Sequence, residues 1–320
     1  MLDLDWLDKA LLWELFGNAR VSFQDLARKY ELSFNAIKNR VKKLEKVGAI
    51  EEYTVELSLA MLGLEPINIF IETDGSEKIK SLIDQIGKLK PIRMVTRIRN
   101  KKYSAFAFVV GTTDFFELKM NLESLNPVTK VTIHPVMNIA PQAPPKSKAR
   151  SRGQKIVFTQ NQLRVLKCLT EDVRMPVVEI AKKTNLTPRR ISKILHELQE
   201  GGGVHFTIRM NYLALGDINL ELFIRYDDTK TGFDEIVKWF QEHYPRELWT
   251  AGQMLDESSV GISLLVEDPT KVGEITNIVR EATFSESVDD YMITSQSYVK
   301  MHYRDPSQHH LDELFKEAGL

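Results

Sequence analysis

Residues 32–50 (LSFNAIKNRVKKLEKVGAI) and 186–204 (LTPRRISKILHELQEGGGV) superpose at an offset of 154 positions. Leu32 meets Leu186, Ile37 meets Ile191, Leu44 meets Leu198 and Gly48 meets Gly202, while almost every polar residue between them changes. Upstream the match runs on without a gap, through Leu12/Leu166, Leu15/Leu169, Arg20/Arg174, Asp25/Glu179 and Ala27/Ala181. A repeat of this kind constrains the fold before any local propensity does, because two segments with one apolar skeleton must bury it in the same way.

Within each copy the periodicity is helical. Leu4, Leu7, Leu11 and Leu15 fall on one helix face. Ser22 with Asp25 resembles a capping box opening a second helix over 22–30. Ser33 is placed to cap a third helix that buries Ile37, Val41 and Leu44 and stops near Gly48. In the second copy Thr187 is the cap and Pro188 takes the first helical position, where its missing N–H costs nothing. An extended stretch follows each third helix (EEYTVEL, HFTIRM), completing a winged helix-turn-helix. Next come strand 66–73, helix 76–89, strands 91–98 and 102–111, helix 114–125 and strand 127–136. The second copy repeats the order: strand 218–226, helix 232–243, strands 247–253 and 259–266, helix 269–282 and strand 286–298. That is the split βαββαβ unit. The fold class expected is therefore α+β, two winged helix-turn-helix domains alternating with two ferredoxin-like βαββαβ domains. The boundaries expected are 1–58 and 59–140 for the first pair, 156–211 and 212–304 for the second, with a basic, proline-containing linker at 141–155. The tail 305–320 reads as an amphipathic helix with Leu311, Leu314 and Phe315 on its apolar side. Trp239, Phe240, Tyr244 and Trp249 are expected in the core or an interface of the second βαββαβ unit.

Composition narrows the class of function. One cysteine, Cys168, excludes an intramolecular disulfide framework and suits a reducing cytoplasm. The first residues, MLDLDWLDKALL, are acidic where an export signal would be basic, and no apolar run would span a bilayer, so no membrane partner is expected. The seven histidines lack paired metal spacing, so no metal is expected. Gly201-Gly202-Gly203 follows a helix and precedes a strand, the reverse of a phosphate loop, and reads as a helix stop. No nucleophile–base set or paired carboxylate stands out, so neither catalysis nor a cofactor is expected. Charge is segregated instead. Residues 1–50 hold nine Lys/Arg against seven Asp/Glu, residues 155–204 nine against five, and residues 205–320 ten against twenty-one. Positive charge gathered on two similar modules points to a polyanion such as double-stranded DNA.

The third helix of each copy carries the residues suited to that partner. Ser33, Asn35, Lys38, Asn39 and Lys42 lie opposite the apolar stripe of the first, and Thr187, Arg189, Arg190, Ser192, Lys193 and His196 decorate the second. Asparagine can grip adenine through two hydrogen bonds, and lysine or arginine can donate to guanine. Arg189 and Arg190 stand at the N-terminal end, where helix-turn-helix proteins contact bases. His196 is either such a contact or a solvated helix residue. One skeleton with two polar faces would let the copies read different half-sites, about one helical turn (roughly 34 Å) or a multiple apart. The competing reading is that the second copy has drifted into a packing or protein-contact role.

The segments LDLDWLDKALLWELFGNAR (2–20), DLA (25–27), LS (32–33) and RVKKLEKVGAI (40–50), followed by the βαββαβ pattern, resemble the Lrp/AsnC (feast/famine) family of prokaryotic regulators. The resemblance implies DNA binding by the first three helices, with Arg40 and Lys43 among the basic residues facing the backbone. It also implies self-association through the βαββαβ (RAM-like) domains, and a small-molecule effector, typically an amino acid. The chain looks like two such units fused in tandem. It departs from the pattern at Ile194, which stands where the first copy has Arg40, and at the effector loop. That loop usually carries Gly and Asp. RIRNKKY (97–103) has neither, and TAGQMLDESS (250–259) retains Gly252 and Asp256. The candidate effector residues are thus Gly252 and Asp256, with Arg97 and Arg99 as an anion site or a solvated hairpin tip. Siroheme decarboxylases share this domain order as fused pairs and supply one alternative reading, the other being a ligand-sensing or protein-interaction module that has lost DNA binding. The decarboxylases should lack a basic reading face and carry His or Arg in the βαββαβ cavity.

Overall fold

The computed structural model describes residues 4–99, 101–139, 155–211, 218–293, 299–301 and 306–320. The linker expected at 141–155 lies outside them except for Lys155. Along the chain run α1 (Trp6–Gly17), α2 (Phe23–Lys29), α3 (Phe34–Lys46), β1 (Ile50–Leu57) and the single turn α4 (Leu59–Leu62). The first βαββαβ segment is β2 (Glu65–Thr73), α5 (Ile79–Lys88), β3 (Ile92–Arg99), β4 (Lys102–Val109), α6 (Gly111–Glu123) and β5 (Val128–Ile139). The second copy gives α7 (Gln160–Glu171), α8 (Val177–Thr184), α9 (Pro188–Glu200) and β6 (Val204–Met210). It continues with β7 (Ile218–Tyr226), α10 (Phe233–His243), β8 (Leu248–Met254), β9 (Ser259–Val266), α11 (Lys271–Glu281) and β10 (Ser285–Ile293), and then β11 (Val299–Met301) and α12 (Pro306–Glu317).

The caps form where the residue types demand them. Ser33 Oγ accepts from the Ala36 amide at 3.1 Å and Thr187 Oγ1 from the Arg190 amide at 3.2 Å. Ser22 caps α2, but the box is incomplete, since the Asp25 carboxylate pairs with Arg28 at 2.6 Å. After α3 and α9 the chain turns through Gly48 (φ 73°) and Gly202 (φ 66°), both left-handed, which explains why this pair is glycine in both copies.

Contacts divide the chain into two compact units. The first gathers both helix-turn-helix copies and the C-terminal helix (residues 1–62, 143–216 and 305–320). The stretch after each third helix was expected to act as a wing of its own copy; here each is one strand, and β1 pairs antiparallel with β6. Tyr53 faces Ile208 and Thr54 faces Thr207, and Ile208 and Thr207 are the offset equivalents of Thr54 and Tyr53. The register is therefore two-fold symmetric about that point. Val55, Leu57, Phe206 and Ile208 are buried along the ribbon.

A reciprocal arginine exchange reinforces the ribbon. The Arg20 guanidinium donates to the carbonyls of Val173 and Met175, on either side of Arg174. Arg174 in turn donates to those of Ala19 and Val21, on either side of Arg20. Burial lowers both pKa values, and for Arg20 the neighbouring Arg174 charge adds to the effect. At the end of β1, Ser307 Oγ accepts from the Leu57 amide at 2.9 Å, so α12 closes the ribbon. Leu311 and Phe315 are buried as expected, and Leu314 is half-buried.

The second unit (residues 63–142 and 217–304) is built on nine strands in the order β10-β7-β9-β8-β5-β2-β4-β3-β11. Each copy contributes four strands in the ferredoxin-like order, its first-sequence strand lying between the fourth and the third. β5 changes partner along its length. Up to Pro135 it pairs with β2, and from Val136 to Ile139 it pairs with β8 of the other copy. Proline, having no N–H, suits the position where the strand leaves one partner. At the far end β11 joins β3 in the same way. The last strand, expected over 286–298, is β10 to Ile293 followed by β11, with 294–298 outside the described residues.

Ile67, Ile69 and Ile71 of β2 pack on Leu82, Ile86, Leu118 and Leu122 of α5 and α6. Leu220, Leu222 and Ile224 pack likewise on Phe240, Ile275 and Val279, with Trp239 and Tyr244 against this core. Trp249 is buried as well. The opposite faces of the two halves meet at Phe70 and Phe223, ring centroids 4.8 Å apart, with Tyr291 5.4 Å from Phe223. Beside them Glu221 Oε1 accepts from Ser263 Oγ (2.7 Å) and Asn219 Nδ2 (2.9 Å). Burial nevertheless raises its pKa above the usual carboxylate range.

Two outcomes follow from these contacts. Arg20→Ala or Arg174→Ala leaves two partly buried carbonyls unanswered and should cost about 1–3 kcal/mol, the double variant costing more than the sum because either single change already relieves the like-charge contact. Hydrogen exchange over 50–57 and 204–210 should show the loss, and undiminished protection in both single variants would contradict it. Glu221 keeps its proton in the folded state to higher pH than in the unfolded chain, so stability erodes as pH rises past about 4.3. Glu221→Gln removes that slope. Its thermal stability relative to the parent should rise between pH 4 and pH 8, and a falling difference would refute the assignment.

Candidate nucleic-acid interface

On α3 the apolar stripe Ile37, Val41 and Leu44 is buried, which turns Asn35, Lys38, Asn39 and Lys42 outward, all exposed. Ser33 is exposed too, its hydroxyl engaged in the cap. Two of the basic residues expected at DNA are turned elsewhere. Arg40 Nη1 lies 2.8 Å from Asp8 Oδ1 and 2.8 Å from Asp5 Oδ2, and Lys43 Nζ lies 2.7 Å from Asp8 Oδ2. Asp8 has 0% exposure. A buried carboxylate of this kind needs its cations, so Arg40 and Lys43 serve the joint between α1 and α3. Sequence reading missed Asp8; the signal was a lone acid between Leu7 and Leu11 on the buried side of α1.

The second copy answers the same positions with different chemistry. Asp8, Arg40 and Lys43 correspond at the offset to Gln162, Ile194 and Glu197. Gln162 completes a capping box with Thr159 and its Nε2 donates to Glu197 at 3.3 Å. Ile194 is fully buried, so its replacement of Arg40 is a packing change rather than a lost phosphate contact. Glu197 also draws in Arg190 (3.6 Å) and Lys193 (3.9 Å), and His196 lies 3.9 Å from Glu200. Ser192 Oγ donates to the Pro188 carbonyl at 3.1 Å, and Thr187 is spent on the cap. Arg189 is exposed and makes no hydrogen bond or ion pair among the described residues.

The candidate effector residues do not form one site. Gly252 is buried in β8 between Gly261 and Asn138. Asp256 stands in the β8–β9 turn with both oxygens 3.1 Å from His134 Nδ1, so its carboxylate is taken. Arg97 lies on β3 opposite Tyr103, and the Arg99 side chain lies outside the described ones. The second unit does hold a cavity of about 260 Å³, lined among others by Phe70, Lys102, His134, Phe223, Arg225 and Tyr291. None of Gly252, Asp256 and Arg97 lines it. His134 was missed in the sequence, where nothing marks it beyond alternation with the buried Ile133. Among the described residues no group of three His, Cys, Asp or Glu could hold a metal, and no helix is long and apolar enough to cross a membrane.

Residues 4–45 match the AsnC-type helix-turn-helix domain, and residues 158–202 match a winged helix-turn-helix DNA-binding domain. An HTH-type transcriptional regulator of Pyrococcus furiosus is 36% identical over 117 residues, covering 35% of this chain and 72% of the relative. The HTH-type transcriptional regulator LrpC of Bacillus subtilis is 29% identical over 131 residues, covering 40% of this chain and 80% of the relative. Among solved structures, the siroheme decarboxylase NirDL is similar across 99% of this chain and 100% of its own, with a TM-score of 0.59 at 12% identity, a likeness of fold. With its AsnC-type helices, the second helix-turn-helix at the same spacing and relatives matched over most of their own length, the chain belongs to the Lrp/AsnC family, in a tandem form.

Proposed function

We propose that the chain is a sequence-specific, DNA-binding transcriptional regulator of a prokaryotic cytoplasm that reads two unlike half-sites. The two-fold register of β1 and β6 carries the reading, because it relates the two helix-turn-helix copies as a homodimer would relate its subunits. The curated relatives' names supply the class. The two reading helices differ in charge. Residues 34–46 hold five Lys/Arg, of which Arg40 and Lys43 pair with Asp5 and Asp8 while Lys38, Lys42 and Lys46 are exposed, whereas of the three in 188–200 Arg190 and Lys193 lie near Glu197. The α3 half-site then supplies most of the phosphate attraction and the α9 half-site less.

A small-molecule effector would find its place in the cavity of the second unit rather than around Gly252 and Asp256. Further self-association would use the βαββαβ unit. The decarboxylase alternative has one observation in its favour, His134 and Arg225 on that cavity. Against it stand the exposed basic face of α3 and the cavity's size. At about 260 Å³ it lies below the range of roughly 300–1,000 Å³ that encloses drug-sized ligands, and a tetrapyrrole is a large one. We read the chain as a non-enzyme.

Selection from random duplex DNA with the full chain, followed by footprinting, should enrich a site with two different half-sites on one DNA face. A strict palindrome would point to one active reader in a homodimer, and no enrichment would remove the proposal. Lys42→Ala should weaken binding to all sites alike and lower the slope of log affinity against log salt by about 1. Arg40→Ala should leave that slope unchanged and lower stability by about 1–3 kcal/mol, because Asp8 keeps only Lys43. A changed slope without a change in the unfolding midpoint would return Arg40 to the DNA.

A further inference from the structure

Resting on the DNA-binding reading, one pair of equivalent positions offers two different chemistries to a base edge. Asn35 and Arg189 coincide at the repeat offset, and each is the second residue of its helix, after caps Ser33 and Thr187 and first residues Phe34 and Pro188. Both are exposed, and neither makes a hydrogen bond or ion pair among the described residues. Their neighbours on the same first turns are otherwise used: Ser33 and Thr187 in caps, and Arg190 near Glu197. Ala36, the counterpart of Arg190, has nothing to offer a base edge.

The N-terminal turn of the second helix of a helix-turn-helix is the part that meets base edges. Because the β1–β6 register relates the copies by a two-fold, positions 35 and 189 address corresponding base pairs of the two half-sites. Their chemistry differs in one respect that matters. A carboxamide presents one donor and one acceptor side by side, matching adenine N6 and N7. A guanidinium presents a fork of donors only, matching guanine O6 and N7 and repelled by the adenine amino group. We infer that Asn35 and Arg189 are the specificity-determining pair, selecting adenine in the α3 half-site and guanine at the corresponding position in the α9 half-site.

Site selection with the full chain and with Arg189→Asn, Asn35→Arg and Arg189→Lys tests this. Arg189→Asn should turn the guanine into adenine and make the two half-sites agree at that position. Asn35→Arg should make the opposite change in the other half-site. Arg189→Lys keeps the charge and can still donate to guanine, and should retain binding, whereas the exchange to Asn should lower the preference for guanine by roughly 5- to 150-fold. Wild-type selection followed by an unaltered guanine preference in Arg189→Asn overturns the assignment and leaves the regulator reading standing. If the wild-type chain selects no site at all, the regulator reading itself fails. Both residues are solvated and without partners among the described residues, so the substitutions leave the helix packing alone.

Discussion

The pairing of β1 with β6 fixes the relation of the helix-turn-helix copies. A lone strand after a trihelical unit has unanswered backbone groups on both edges, and two lone strands from a repeat can satisfy each other. Their register places the symmetry point between Tyr53/Ile208 and Thr54/Thr207. The arginine exchange then holds the copies beside the symmetry point, Arg174 lying over the Tyr53 ring. Two guanidinium groups so close repel, and both shed water on burial. What offsets this is geometry, each fork spanning the two carbonyls that flank the other arginine. The same residue appears at this position in both copies because the contact works only when each supplies both halves of it.

Elsewhere the copies diverge, and the divergence follows burial. The apolar contacts of α3 and α9 stay in register, whereas the polar joint between first and third helices has changed sign. In the first copy a buried acid on α1 collects two cations from α3. In the second a neutral glutamine on α7 meets an acid on α9. The consequence reaches the surface: Glu197 draws Arg190 and Lys193 toward itself, while Lys38 and Lys42 stay exposed. The second unit shows the same economy on a larger scale, each half lending the end of its last strand to the other.

Much of this was legible from the chain alone. Helix periods, the Ser33 and Thr187 caps, the glycine stops and both βαββαβ orders are local patterns, set by residues within a turn or two of each other. The parts that escaped reading depend on partners over 30 to 250 positions away. A short strand looks the same whether it folds back as a wing or pairs with its counterpart, so the positions of β1 and β6 are legible and their pairing is not. Arg40 and Lys43 look like phosphate contacts until Asp8 is found beneath them. Asp256 looked like an effector ligand until His134 arrived from β5. Basic side chains on a recognition helix are therefore a weaker signal than their exposure after folding.

The covalent link across the β1–β6 ribbon also changes how the reading head responds to dilution. Two separate chains that pair through such strands form their head by a second-order encounter, and at low copy number most of them would be single. Here the partner strand belongs to the same polypeptide, so the pairing is a first-order event that dilution does not weaken. The two-headed arrangement is then complete in every folded molecule. Occupancy of a two-part site would rise with the first power of protein concentration, giving a graded response where a chain that must first dimerise responds more steeply.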